Sequence, residues 1–280
     1  MKSKFLTVVF FLLFVSGCGE NTGGSNTVSG VVNDSDLKPI SGADIVIGGI
    51  SGKSGSNGEY TINGVNAGLQ NISVTAGGYI TYSGKINVIA SGVTYVPAIV
   101  LTLRDSKSTN VGSGGGEVSN TDGSVRINIP EGALTSDQTI VLTNVNVSSA
   151  PYPPPVGYKF IFLIYAAPAD LNFNKEVTLT IPLTAEAIGK TTIPFFRLDP
   201  DSFSWIAIND GKVSASTNTI SVSITKFGWI AAAISLNDMY GSVTGRVITS
   251  SGTGIDGATV WYLSNRVVTD AIGQYTLSNI

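Results

Sequence analysis

Residues 28–65 read VSGVVNDSDLKPISGADIVIGGISGKSGSNGEYTINGV, and residues 243–280 read VTGRVITSSGTGIDGATVWYLSNRVVTDAIGQYTLSNI. The two stretches align without a gap, each residue meeting the one 215 positions further on. Gly30 meets Gly245, Val32 meets Val247, Ile40 meets Ile255, Gly42-Ala43 meets Gly257-Ala258, and Gly58-x-Tyr60-Thr61 meets Gly273-x-Tyr275-Thr276. Similarity at a fixed spacing marks a repeated structural unit. Short runs rich in Val and Ile, such as Ala43-Asp44-Ile45-Val46-Ile47, are bounded by clusters of Gly, Ser, Asn and Asp, which predicts strands joined by tight turns. Ser54-Gly55-Ser56-Asn57-Gly58 is such a turn, made of residues that accept a positive φ.

In the first copy further strands are expected over 70–75, 84–89 and 95–103, completing a sandwich over 28–103. The G-x-V opening, the P-x-x-G-A-x-V-x-V second strand, the N-G-x-Y turn and Gly77-Gly78-Tyr79 resemble the carboxypeptidase regulatory-like domain. That resemblance implies a transthyretin-like β-sandwich. The second copy, 241–280, matches only the first half of the unit, so the expectation is an incomplete domain.

Between the copies, 104–114 (beginning with DSKSTNVGSG from Asp105) reads as a linker. Gly115-Gly116-Glu117-Val118 and then the alternating Ser124–Ile129 with Pro130-Glu131-Gly132-Ala133-Leu134 resemble the opening of a ZU5-like sandwich, here assigned to 115–235. Strands are expected at 160–166, 176–182, 195–198, 205–208 and 219–233. Some relatives of that fold cleave themselves at His-Phe-Ser. The corresponding tripeptide is Lys226-Phe227-Gly228, with neither nucleophile nor histidine, so self-cleavage is not expected.

At the other end, Lys2 and Lys4 precede the apolar run Phe5–Val15 (FLTVVFFLLFV), which is the form of a secretory signal peptide, 1–17. The run is too short for a permanent span, which needs about 20 apolar residues. Val15-Ser16-Gly17-Cys18 resembles a bacterial lipobox, implying cleavage before Cys18 and lipidation of its sulfur and new amino terminus. More than one acyl chain supplies the multiple anchors that stable attachment requires. Gly19 lacks the aspartate that retains such proteins at the inner membrane in enteric-type bacteria, so an outer-membrane location in the cell envelope is favoured. Residues 18–27, almost devoid of apolar side chains, are read as a tether spanning roughly 15–18 Å.

Composition agrees with an all-β, multi-domain chain: 42% hydrophobic residues, 33 glycines in 280 residues and only 12% charged residues. Its formal charge of -3, with Lys and Arg scattered singly, argues against nucleic acid. The chain contains no histidine, which removes Ser-His-Asp and Cys-His catalysis and imidazole metal sites. Its one cysteine is Cys18, so no internal disulfide forms. Asp34-Ser35-Asp36, Asp199-Pro200-Asp201 and Asp270 do not follow a calcium loop and are expected to cap their own turns. No catalytic, metal or cofactor site is therefore assigned.

The expected role is that of a membrane-anchored, non-enzymatic envelope lipoprotein whose sandwiches act as spacers and protein-interaction modules. Two alternatives stay open. One is carbohydrate binding through exposed aromatics, with Trp261, Tyr79 and Tyr82 as candidates. The other is an anchoring stalk of a longer adhesin or enzyme continuing past Ile280. In the second copy, period-2 alternation puts Ala258, Val260 and Tyr262 inward, like Ala43, Ile45 and Ile47, and Trp261 outward.

Overall fold

Positive-φ glycines and short apolar runs divide the described residues into strands. The computed structural model describes residues 26–236, 242–262 and 265–278, and among them there is no α-helix. Cys18 and the stretch 1–17 expected to be a signal peptide lie outside the described residues.

The first unit comprises β1 (Thr27–Asp34), β2 (Asp44–Ile47), β3 (Ile50–Lys53), β4 (Glu59–Asn63), β5 (Gly68–Thr75), β6 (Tyr82–Val88), β7 (Val93–Tyr95) and β8 (Ile99–Leu101). Its two sheets are β4-β1-β7, with β8 pairing the far end of β1, and β3-β2-β5-β6. Val28, Val32, Ile45, Ile47, Tyr60, Ile62, Ile72 and Val74 fill the space between them and are buried. Each comes from an alternate position of its strand, as a two-layer sandwich requires. Asn26 and Thr27 already belong to this unit. Asn26 Nδ2 donates to Val65 O at 2.9 Å, and Ser91 N–H donates to Asn26 Oδ1 at 2.7 Å. The last two residues of the stretch 18–27, expected to be tether, are therefore part of the first sandwich.

The second unit comprises β9 (Thr109–Val111), β10 (Gly116–Ser119), β11 (Arg126–Ile129), β12 (Gln138–Val145), β13 (Tyr158–Ala167), β14 (Asn172–Pro182), β15 (Thr192–Asp199), β16 (Ser204–Ser214), β17 (Thr219–Lys226) and β18 (Gly228–Ser235). They form one sheet in the order β10-β11-β14-β17-β16-β15-β18-β13-β12-β9. The sheet curls until its two end strands meet, and encloses a core that includes Ile127, Leu142, Ile164, Leu179, Phe195 and Phe227.

Two expectations are corrected here. Thr109–Val111, in the stretch read as linker, pairs antiparallel with β12, because Val111 supplies an apolar residue to that core. The strand expected over 219–233 is two: β17 pairs β14 and β16, whereas β18 pairs β13 and β15. The break falls at Phe227, just before Gly228, whose φ of +123° redirects the chain as β18 begins.

The third unit holds β19 (Ser242–Arg246), β20 (Thr259–Tyr262), β21 (Asn265–Val268) and β22 (Gln274–Ser278), paired as β19-β22 and β20-β21. Over β1–β4 it repeats the first unit bond for bond. Val32 N–H donates to Gly58 O at 2.9 Å, and Val247 N–H to Gly273 O at 2.8 Å. Ser54 Oγ donates to Ile40 O at 2.6 Å while accepting from Ala43 N–H. Thr269 Oγ1 does the same with Ile255 O at 2.6 Å and Ala258 N–H. Gly30 lies opposite Tyr60, and Gly245 opposite Tyr275, each tyrosine ring occupying the space where a Cβ would project. The Gly-x-Val and Gly-x-Tyr motifs are thus two halves of one contact.

Packing around this shared frame differs. Ile47 is fully buried, whereas its counterpart Tyr262 is 51% exposed. The expected inward Tyr262 is therefore corrected: β2 is flanked by β3 and β5, but among the described residues β20 pairs with β21 alone.

Gly58 separates two effects that glycine can serve. Its φ is +78°, and a Cβ there would meet Val32 O at 2.5 Å, whereas Gly42 has a similar φ of +72° with open space around it. Gly42→Ala should cost about 1–3 kcal/mol through backbone strain alone. Gly58→Ala should cost distinctly more, because a backbone carbonyl cannot swing aside. Chemical denaturation of the two variants checks this, and equal losses would contradict the contact.

Candidate functional site

The residues that bring the first two units together come from the apolar runs of β13 and β18. Leu163, Tyr165 and Ala167 of β13, with Ala231 and Ala233 of β18, point away from the inner core of the curled sheet. They form a second cluster with Val141, Val145, Phe160 and Phe196 on the sheet's outer surface. A sheet with apolar residues on both faces must be covered on both. Ile80 of the first unit belongs to this outer cluster and is only 3% exposed.

Hydrogen bonds fix how Ile80 is presented. Its N–H donates to Thr102 O at 2.9 Å, and Arg104 N–H donates to Gly78 O at 2.8 Å, so the turn before β6 is held against the strand leaving the unit. The chain then enters the second unit without a free segment. Asp105 N–H donates to Thr143 Oγ1 at 3.0 Å, and the Asp105 carboxylate accepts from Thr121 and from the Lys107 N–H. Partial burial would raise the Asp105 pKa, but the Thr121 hydroxyl and the two backbone N–H groups outweigh it and hold the carboxyl below its ordinary value.

A second line of contact runs along β6. Tyr152 Oη donates to Ser83 O at 3.3 Å, Tyr152 packs on Phe203 at 5.5 Å between centroids, and Lys85 Nζ lies 5.1 Å from the centre of the Phe203 ring. Trp205 Nε1 donates to Tyr152 O at 3.1 Å, and its ring meets Phe160 edge-on. Burial first, and the nearby Tyr82 second, push the Tyr152 hydroxyl up to about 12, so it stays a neutral donor.

Between these two lines opens a cleft of about 580 Å³. Tyr82, Thr81 and Thr102 line it from the first unit, and Tyr165, Trp229 and Phe203 from the second. Tyr165 and Trp229 face each other across β13 and β18 with ring centroids 5.0 Å apart. Asp170 at its border pairs with Lys226 at 3.0 Å.

The three sequence-derived candidates do not share one surface. Tyr82 reaches the cleft while also packing on the first core. Tyr79 is half-buried against that core and bridges to Leu103. Trp261 is 63% exposed on β20 in the third unit, with the Arg266 guanidinium 5.7 Å from its ring centre. Trp229 and Trp205 are half-buried at the outer cluster and so belong to the junction. Tyr165, Trp229 and Ile80 were not singled out from the sequence. The carboxylates of Asp34, Asp199 and Asp270 accept backbone N–H groups of their own turns.

Residues 27–104 match the carboxypeptidase regulatory-like domain. Residues 107–193 match the ZU5 domain. Both agree with the domain composition expected from the motifs, and both are of regulatory or interaction type. No curated protein matches the chain. Among solved structures, similarity is found to a chain of a type II cohesin-X-dockerin complex from Acetivibrio cellulolyticus, with 28% identity, 29% of this chain and 59% of that chain covered, and a TM-score of 0.25. The TIE protein of Bacillus anthracis is similar at 12% identity, over 78% of this chain and 47% of that one, with a TM-score of 0.26. BcpA, the major pilin subunit of Bacillus cereus, is similar at 12% identity, over 91% of this chain and 85% of that one, with a TM-score of 0.21. The junction cleft thus lies between the sandwich that matches the carboxypeptidase regulatory-like domain and the sandwich whose first part matches the ZU5 domain.

Truncating the side chain that joins them should be felt in both. Ile80→Ala removes a buried branched side chain, a change that costs about 2–5 kcal/mol. In calorimetry the variant should show the first domain melting apart from the second, where the parent melts them together. A parent-like single transition would show that Ile80 does not couple them.

Proposed function

We propose that the protein is a lipid-anchored, non-enzymatic lipoprotein of the bacterial cell envelope, with an outer-membrane location favoured by Gly19. Cys18 carries the lipid, the following residues form a short tether, and the first two sandwiches act together as a stiff spacer that presents surfaces to a partner. The observation that carries this reading is the junction. Ile80 is buried in the outer cluster of the second sandwich, and the connection from Leu103 to Thr109 is held by the Tyr79–Leu103 bridge on one side and by the bonds of Asp105 to Thr143 and Thr121 on the other, which restrains the joint between the modules. A spacer transmits position only if its modules do not swing, and buried apolar contact between domains is what prevents swinging.

The non-enzymatic reading is supported by the lack of histidine and by the regulatory and interaction character of the matched domains. The anchoring reading is supported by the Val15-Ser16-Gly17-Cys18 motif after an apolar run. Attachment through two or more acyl chains is effectively stable, whereas one chain binds marginally.

Cys18→Ala separates anchored from soluble forms. The parent should partition into the detergent phase and incorporate labelled palmitate, and the variant should appear in the aqueous phase without label. A variant that stays with the membrane would place the anchor elsewhere.

A further inference from the structure

The lining of the junction cleft has a chemical character that the spacer role does not use. Its aromatic walls come from two domains: Tyr82 from one, Tyr165, Trp229 and Phe203 from the other. Among the described residues, neither the Tyr82 hydroxyl, the Tyr165 hydroxyl nor the Trp229 indole N–H has a hydrogen-bond partner. The contrast with Trp205 is informative, because that indole donates to Tyr152 O at 3.1 Å. Tyr165 is 8% exposed, and its hydroxyl is not among the buried atoms that lack a partner, so what it reaches is the solvent of the cleft. Burial raises the pKa of Tyr82 and of Tyr165, which keeps both protonated and able to donate or accept.

Charge narrows the ligand class. Asp170 is the single charged side chain lining the cleft, and its carboxylate is already paired with Lys226. A phosphate or carboxylate ligand would find no cation among the lining residues themselves; the nearest are Arg104, which acts on the Tyr165 hydroxyl, and Lys85, which lies on the Phe203 ring. A purely apolar ligand would bury the three unpaired polar groups without compensation, at about 1–3 kcal/mol each. A ligand with an apolar ring face and a rim of hydroxyls satisfies both conditions, since the ring stacks on an aromatic side chain and the hydroxyls pair with tyrosine, threonine and indole groups. The volume of about 580 Å³ falls within the range of small-molecule sites.

We propose that the cleft between the carboxypeptidase regulatory-like domain and the ZU5 domain binds a neutral saccharide, with Trp229 and Tyr82 as stacking surfaces and Tyr165 as a hydrogen-bonding group. Trp261 is less suited to stacking, because Arg266 already lies over its ring. Since the cleft walls come from both domains, the bound sugar would also tie them together.

The test titrates the full chain with glucose, galactose, mannose, N-acetylglucosamine, cellobiose and maltose, following saturation-transfer NMR and tryptophan fluorescence. At least one sugar should bind saturably. Tyr165→Phe, which keeps the ring, should weaken that binding by about tenfold, the equivalent of one lost hydrogen bond. Trp229→Phe should weaken it at least as much and remove most of the fluorescence response, while Trp261→Ala should leave both unchanged. Failure of every sugar to bind would overturn the proposal. So would binding that survives intact in the Tyr165→Phe/Trp229→Phe double variant with its circular dichroism unchanged, or binding that depends on Trp261.

Discussion

Strands β13 and β18 are apolar on both faces, and a curled sheet can hide only one of them inside itself. Ile164, Ile230 and Ala232 fill the inner core, while Leu163, Tyr165, Ala231 and Ala233 would meet water on the other side. The outer cluster is instead roofed by the segment before and along the start of β13, by Trp205, and by Ile80 from the preceding domain. The small alanines of β18 leave room for these larger groups to approach. Much of the domain arrangement follows from that constraint: the connection between the modules runs as tied strand and turn, and the space the roof does not fill becomes the cleft.

A different economy governs the repeated unit. One hydroxyl, Ser54 in the first copy and Thr269 in the third unit, accepts one backbone N–H and donates to one backbone carbonyl at a point where the strand order gives them no partners. Leaving such groups unpaired would cost more than the hydrogen bonds contribute. Serine and threonine are interchangeable here because only the hydroxyl is used. Glycine is not interchangeable at 30 and 245, where a tyrosine ring covers the strand, nor at 58 and 273, where the backbone of the neighbouring strand comes close. These few positions carry the resemblance between two copies whose remaining residues have diverged.

The frame of strands was legible because each of these constraints leaves a local mark: a glycine at a fixed distance from a tyrosine, or a Pro-x-Gly-Ala-Leu after an alternating run. The junction was not read from the sequence, although it left a mark as well. Phe160–Ala167 and Trp229–Ile234 are continuous apolar runs, and in an antiparallel sheet that pattern means burial on both faces, hence a cover from outside the domain. What no pattern could reveal is which residue supplies the cover. Ile80 sits in a turn after Gly77-Gly78-Tyr79 and looks like any loop isoleucine until the fold brings it beside Val141 and Leu163. The linker reading of 104–114 failed for a related reason. Polar composition there reflects the Asp105 carboxylate, which accepts the backbone N–H groups of Lys107 and Thr121, and a three-residue strand, Thr109–Val111, that buries only Val111, and not freedom of the chain.

Rigid union of the first two sandwiches is the central claim, and rotational diffusion tests it most directly. Backbone 15N relaxation of the full chain should give residues 27–103 and 107–235 one common tumbling time, that of a single body, with no excess mobility at Asp105. Two distinct tumbling times, or fast motion confined to 103–108, would contradict the account.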